Sequence, residues 1–303
     1  MTKNLLYFAL FRLLLPKVRE KFTTFALRIH VNRAMERHYC LDDSPTFRML
    51  ELDEIDSTNR FLRHLDTPGD RRMTLVTAEF QTAGKGAGTN SWESARGENL
   101  LLSLRVMPSN LPVRRMFAIS EATALALKES LDAFVLPHTP PKGGRGVCIK
   151  WPNDIYFEDC KVAGMLIEND LMGAQVRSSV IGIGINVNQR RFLSDAPNPR
   201  SLADIVGHDV ERRFVLEQFM EHFMHYMPTL DEGKDDALDA LHECYKKHLY
   251  RFGEEHEFLD EMGVFCAKIV DVEPSGHLIL QDKGGNRRRY AFKEVRFGLP
   301  NPL

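Results

Sequence analysis

The sequence predicts an α+β protein, with a mixed central β-sheet flanked by helices and a small β-barrel appended to it. Three observations predict this. Strand-like runs recur between residues 47 and 188 and alternate with helical periods, so strands and helices share one core. A helical region then runs from Phe214 to about Leu249. Beyond Gly253 the composition shifts to short strands, with turns at Ser275-Gly276 and Gly284-Gly285-Asn286. A chain of 303 residues accommodates one large and one small domain, placed at 47–250 and 251–303 behind an extension over 1–46 that is helical or disordered.

In chain order, "FRMLELDEI" alternates as a strand. "DSTNRFLRHL" follows as a helix capped by Asp56 or Ser57, with Phe61, Leu62 and Leu65 on one face. "MTLVTAEF" is a second strand, and the glycines of "QTAGKGAGTNSW" make it a loop. "NLLLSLRVM" is continuously apolar and reads as a buried strand. Met116, Phe117, Ser120, Ala124, Leu127, Leu131 and Phe134 set a helical period over Val113–Val135. After a "TPPKGGRG" loop come four strands: "VCIKW", "DIYF", "KVAGMLIEN" and "SSVIGIGINVN". "GEEHEFLD", "GVFCAKIVDVEP", "HLILQD" and "RRRYAFKEVRF" supply the barrel.

Hydrophobic residues at 43% and charged residues at 27% are ordinary for a globular protein. A net charge of −2 gives no general attraction to nucleic acid or anionic membrane. The cysteines at 40, 148, 160, 244 and 266 form no C-x-x-C and no zinc spacing, which fits a reducing, cytoplasmic setting without disulfides. Cys160 reads as an inert turn cysteine. "MTKNLLYFALFRLLLPKVREKF" is broken by Arg12 and Pro16, too short to span a membrane, and followed by no cleavage site. Residues 1–41 carry net +6, leaving the remainder at about −8. Three readings stay open for them: a basic amphipathic helix on a membrane surface, a loosely docked helix, or an extension from an upstream start.

Four polar clusters fall at strand ends or in loops, where chemistry tends to sit. Ser57-Thr58-Asn59 opens a helix; it is either a plain cap or a source of hydroxyls and free N–H groups for a polar ligand. In Gln81–Trp92, Gly84, Gly86 and Gly88 let the backbone approach phosphates and Lys85 adds charge, yet the pattern is neither a P-loop nor a dinucleotide fingerprint. "IKWPNDIYFEDCKVAGMLIE" places Lys150, Asn153 and Asp154 at one strand and Lys161 at the next, a hairpin that serves one pocket only if the strands bend. In "GIGINVN" the glycines mark a bulge or a close backbone approach, and Asn186 and Asn188 share a face suited to reading a heterocycle's edge. The sum has no nucleophile with a base and no metal cluster. It points to positioning and electrostatic catalysis on phosphates.

Together "STN" at 57–59, "QTAGKG…NSW" with "GENLLLSL" at 81–104, "KWPND…K…G" at 150–164, "GIGINVN" at 182–188 and "SLADIVG" at 201–207 resemble the biotin protein ligases, also called biotin–[acetyl-CoA-carboxylase] ligases. The resemblance covers about 47–250, and the last 50 residues look like the family's SH3-like domain. It implies a class II synthetase-like catalytic fold, with ATP and Mg²⁺ required and a biotin carboxyl carrier protein as partner. Biotin's carboxylate would attack the α-phosphate of ATP, releasing pyrophosphate and giving biotinyl-5′-AMP. A carrier lysine would then take the biotinyl group.

By family position, Ser57, Thr58, Asn59 and Gln81 would hold the ureido end of biotin. Gly84, Lys85 and Gly86 would close over biotin and phosphate, and Gly164 would let β-strand backbone pass close to the ligand. Trp92 and Asn186 would meet the adenine, Asn153 and Asp154 the phosphates, with Asp154 a Mg²⁺ contact. Lys161 would sit between carboxylate and α-phosphate, where a cation about 4 Å from two anions lowers their repulsion by several kcal/mol.

One departure stands out. The family loop commonly reads G-R-G-R, and here it reads Gly84-Lys85-Gly86-Ala87. Either the loop retains the adenylate less firmly and the enzyme labels bystander proteins, which Ala87→Arg should suppress, or another cation such as Arg96 or Lys150 substitutes. The 46 residues ahead of the ligase region are too few for a winged helix, which suggests the monofunctional type. A lipoate ligase or octanoyltransferase is the enzyme alternative, and a non-catalytic biotin sensor or repressor the alternative of another class. Exposed sheet edges leave a homodimer open.

Overall fold

The computed structural model describes residues 39–43, 47–65, 73–88, 90–139, 146–193 and 198–298. The expectations for residues 1–38 and most of the "TPPKGGRG" loop lie outside the described residues.

Eight strands make the first sheet: β1 (Tyr39–Asp43), β2 (Phe47–Ile55), β3 (Met73–Gln81), β4 (Leu100–Val106), β5 (Val147–Lys150), β6 (Asp154–Phe157), β7 (Cys160–Met172) and β8 (Gln175–Ile185). Their order is β1-β2-β3-β4-β8-β7-β6-β5. β2 and β3 are parallel, so they need a crossover, and α1 (Thr58–His64) lies in it. The remaining pairs are antiparallel, which makes the sheet mixed. Tyr39–Asp43, assigned from the sequence to a helical or disordered extension, instead pairs with β2 as an edge strand.

The two faces of this sheet are covered differently. Leu62 of α1 packs on Leu52, Val76, Ala78 and Val180. The opposite face carries the large core, where Leu100, Leu102, Leu104, Ile181, Ile183 and Ile185 meet α2 (Ala118–Val135). Outside α2 lie α4 (Arg212–Glu232) and α5 (Asp235–Lys247), with the short α3 (Leu202–Val206) before them. β4 is buried along its whole length because both its faces are covered, which is why it reads as a continuous apolar run.

The predicted helix from Val113 begins later. Val113–Arg115 is a 3-10 turn, α2 starts at Ala118, and Met116 is 39% exposed, so it belongs to the turn and not to the core stripe. The region from Phe214 to Leu249 is two helices, because Gly233 adopts φ 62° and closes α4 by donating to Thr229 O.

Glu121 of α2 and His242 of α5 form a buried pair, Nδ1 to Oε1 at 2.6 Å. Burial raises the Glu121 carboxyl above its ordinary value. Burial pulls the His242 imidazole down, but its bond to Glu121 outweighs this and the net shift is upward. The folded protein therefore holds protons that the unfolded chain releases. The stabilisation is complete below the unfolded histidine value of about 6.5 and is lost as pH rises through the folded value. The melting temperature should fall between pH 6 and pH 8.5, and Glu121→Gln should flatten that slope. A slope unchanged in Glu121→Gln would assign it to other groups.

The second sheet holds β9 (Glu255–Asp260), β10 (Gly263–Val272), β11 (Leu278–Asp282), β12 (Arg287–Tyr290) and β13 (Arg296–Phe297), antiparallel in the order β12-β11-β10-β9-β13, consistent with an SH3-like domain. It docks beside the β5–β6 turn, where Trp151 Nε1 donates to Gly276 O at 2.9 Å, and against α5, where Lys246 Nζ lies 3.0 Å from Asp271 Oδ1. Among the described residues no helix is long and apolar enough to cross a membrane.

Candidate active site

A cleft of roughly 490 Å³, counted to its open mouth, lies on the α1 side of the first sheet. Its floor is backbone. Asp154, Gly164 and Gly184 are register partners across β6, β7 and β8, and Gly182 pairs with Leu166 on one side and Ser103 on the other. Paired residues project to the same face, and Ile181, Ile183 and Ile185 take the other one, so the glycines strip the cleft floor of side chains. A Cβ at Gly184 would lie 2.6 Å from Trp92 Nε1, at Gly164 2.9 Å from Trp92 Cζ3, and at Gly182 2.8 Å from Asn59 Cγ. The close approach expected of "GIGIN" is thus made by Trp92 and Asn59.

The α1 end of the cleft is a closed polar network. Ser57 caps α1, its hydroxyl accepting from Arg60 N. Gln81 Oε1 accepts from Thr58 N at 2.8 Å and Thr58 Oγ1 at 3.1 Å. Ser103 Oγ is 2.7 Å from Thr58 Oγ1 and 2.6 Å from Asn59 Oδ1, while Asn59 Nδ2 donates to Glu168 Oε2 at 3.1 Å. Ser103 was missed from the sequence. Its signal was a single hydroxyl inside the apolar run of β4.

The other end holds Asn153, Asp154 and Lys161. Asn153 Nδ2 donates to Met165 O at 2.7 Å and fixes the β5–β6 turn against β7. Strict alternation along β7 would put Lys161 on the face opposite Gly164. The register shifts between Ile155 and Tyr156, so that Tyr156 faces Lys161 and Ile155 faces Ala163. This bulge at Val162 turns Lys161 to the side of Asp154. Lys161 Nζ and Asp154 Oδ1 are 2.6 Å apart, and the ammonium lies 5.6 Å from the Trp92 ring centroid. Lys161 is also held by its backbone: its N–H donates to Asn198 O and its carbonyl accepts from Arg200 N, both at 2.9 Å.

The glycine loop is a small hairpin. Trp92 N donates to Gly84 O at 3.0 Å and Gly86 N to Asn90 O at 2.8 Å. Lys85, Gly86, Ala87 and Trp92 line the cleft, whereas Gly84 is turned to Trp92 across this ladder. Trp92 Nε1 is buried with no hydrogen-bond partner among the described residues.

The amides of Asn186 and Asn188 are engaged elsewhere. β8 ends at Ile185, so the alternation that would give them one face stops there. Asn186 Nδ2 donates to Lys161 O at 3.3 Å. Asn188 closes both ways on Val210, at 2.8 and 3.0 Å. Neither lines the cleft. The two substitute cations are engaged elsewhere too. Arg96 pairs with Asp53 at 3.1 Å and with Glu54. Lys150 Nζ donates to Tyr156 OH at 2.9 Å and lies 5.3 Å from the Phe297 ring, and burial lowers its pKa against the pull of Asp154.

The profile of the biotin/lipoate A/B protein ligase family matches residues 52–186, which include both ends of this cleft. The chain is similar to the biotin–[acetyl-CoA-carboxylase] ligase of Paracoccus denitrificans, 28% identical over 80% of this chain and 98% of that protein. It is also similar to the bifunctional ligase/repressor BirA of Bacillus spizizenii, 27% identical over 79% of this chain and 71% of that one. In fold, the chain matches the biotin protein ligase from Aquifex aeolicus in complex with biotin and ATP, with a TM-score of 0.65 and 24% identity over 83% of this chain and 99% of that chain.

Proposed function

We propose that this chain is a biotin–[acetyl-CoA-carboxylase] ligase that activates biotin with ATP as biotinyl-5′-AMP and transfers it to a lysine of a biotin carboxyl carrier protein. The observation that carries the reading is the cleft itself. A hydroxyl and amide network lies at one end, a Lys161–Asp154 pair at the other, and between them a glycine floor on which the Trp92 indole lies.

In the first step a carboxylate oxygen of biotin bonds to the α-phosphorus and the α–β bridging bond breaks, its electrons leaving with pyrophosphate. Charge builds on the α-phosphoryl oxygens, and Lys161 is the cation positioned to take it. In the second step the carrier amine bonds to the acyl carbon, the acyl–phosphate C–O bond breaks, AMP leaves, and the amine loses its proton. Among the described residues the Ser57 and Thr58 hydroxyls of the cleft meet Arg60 N and Gln81 and not a general base, in keeping with direct displacement.

Ser57, Thr58, Asn59 and Gln81 take the uncharged ring end of biotin, Trp92 the adenine, and Asn153 and Asp154 the phosphate side. Asn186 is a positioning residue for Lys161. Mg²⁺ in nucleotide sites typically takes one or two carboxylates plus substrate phosphates, and Asp154, the carboxylate the cleft presents, would hold a metal carried in by ATP. When bound, the metal would neutralise phosphate charge. Among the described residues no cluster could hold one as a protein cage.

Biotin-dependent exchange of pyrophosphate into ATP tests the reading. Exchange with biotin and not with lipoate is expected, and exchange driven by lipoate alone would assign the site to the family's other branch. Ser103→Ala should raise the KM for biotin roughly 10-fold with a smaller effect on kcat, because Thr58 and Asn59 lose the hydroxyl that orients them. An unchanged KM would leave Ser103 a packing residue.

A further inference from the structure

We infer that Lys293, on the second sheet's β12–β13 turn, supplies the second cation that the glycine loop lacks, and that the biotinyl-adenylate is retained by this contact between the two sheets' domains. The inference rests on the ligase reading and adds a residue to its site.

Three observations meet at this place. Gly88, next to Ala87, adopts φ 71°, and a Cβ built there would collide with the end of the Lys293 side chain, lying 2.7 Å from its Cε. The lysine therefore lies against the loop backbone itself, in room that only a glycine leaves. Lys293 has φ 73°, a conformation non-glycine residues rarely hold, at the turn that brings the chain back towards the ligase domain. Its ammonium forms no ion pair among the described residues, and the nearby Phe292 ring centroid is 5.8 Å away. Arg96 and Lys150 are engaged elsewhere, and the Lys161 ammonium is already matched by Asp154. Lys85, which lines the cleft, and Lys293, which lies against the loop at Gly88, have no carboxylate set against them among the described residues.

An acyl-adenylate carries one negative charge on the phosphate of its mixed anhydride, and a loop with a single lysine grips it weakly. A second ammonium arriving from the other domain restores the missing charge. It also ties loop closure to the docking of the second sheet, which Trp151 holds through Gly276. Arginine at position 87 and lysine at position 293 are two routes to the same electrostatic hold.

The test is the release rate of biotinyl-adenylate formed on the full chain, together with labelling of a bystander protein. Lys293→Met keeps the aliphatic stem and removes the charge. It should release adenylate about 10-fold faster, with more bystander labelling. Lys293→Arg should behave as the parent. Ala87→Arg added to Lys293→Met should restore retention. In the parent, release should quicken with ionic strength, and Lys293→Met should lose most of that dependence. Retention and salt dependence in Lys293→Met equal to the parent's would overturn the inference while leaving the ligase reading intact. Absence of biotin-dependent exchange in the parent would overturn both.

Discussion

Lys161→Ala should lower biotin-dependent pyrophosphate exchange by more than about 100-fold. The size follows from what is left behind. In the proposed first step two anions must meet, and Lys161 is the cation proposed to stand among them. Its removal also leaves Asp154, 2.6 Å from the former ammonium, as an unmatched carboxylate facing both substrates. The double variant Lys161→Ala/Asp154→Asn should therefore lose less than the sum of its parts, since the neutral amide removes the added repulsion. Folding should survive, because the backbone bonds of Lys161 to Asn198 and Arg200 do not depend on its side chain. Exchange within tenfold of the parent in a folded Lys161→Ala protein would remove Lys161 from the mechanism.

Gly184→Ala should be nearly as damaging, and for a steric reason. The added methyl would sit 2.5 Å from Trp92 Cζ2 and 2.6 Å from Nε1, so the indole must leave the floor. Gly184 is not in a left-handed conformation, so the backbone tolerates alanine and the cost is overpacking, typically about 1–3 kcal/mol. The functional loss should exceed the stability loss, since the residue displaced is the one proposed to meet the adenine. A KM for ATP raised by about 30-fold or more is expected. Gly164→Ala, whose methyl would meet the same ring at 2.9 Å, should be milder. An inverted ranking would show that the indole does not set ATP binding.

Much of the site could be read from the chain because its parts are local. A serine cap opening a short helix, glycines alternating with isoleucines in one strand, and a lysine flanking a hairpin turn each have a physical meaning within about ten residues. Asn186 and Asn188 were harder to read. Two residues apart in a strand they share a face, but where β8 ends depends on the chain that packs beside it, and each amide went to a backbone group brought there by folding. Ser103 could be seen as an anomaly without a purpose until α1 was laid over it.

The sequence by itself determined the fold class, most of the strands and helices though not the edge strand β1, and the kinds of residue that line the cleft, because periodicity and turn chemistry are properties of neighbouring residues. Tertiary structure alone decided which residues meet. The bulge at Val162 turns Lys161 to the side of Asp154, and it exists because β6 and β7 pair in a shifted register. The lysine nearest to Ala87 in function lies some two hundred residues away, and only the docking of the second sheet brings Lys293 onto Gly88. Neither placement is encoded in spacing, because each depends on the position of one backbone against another.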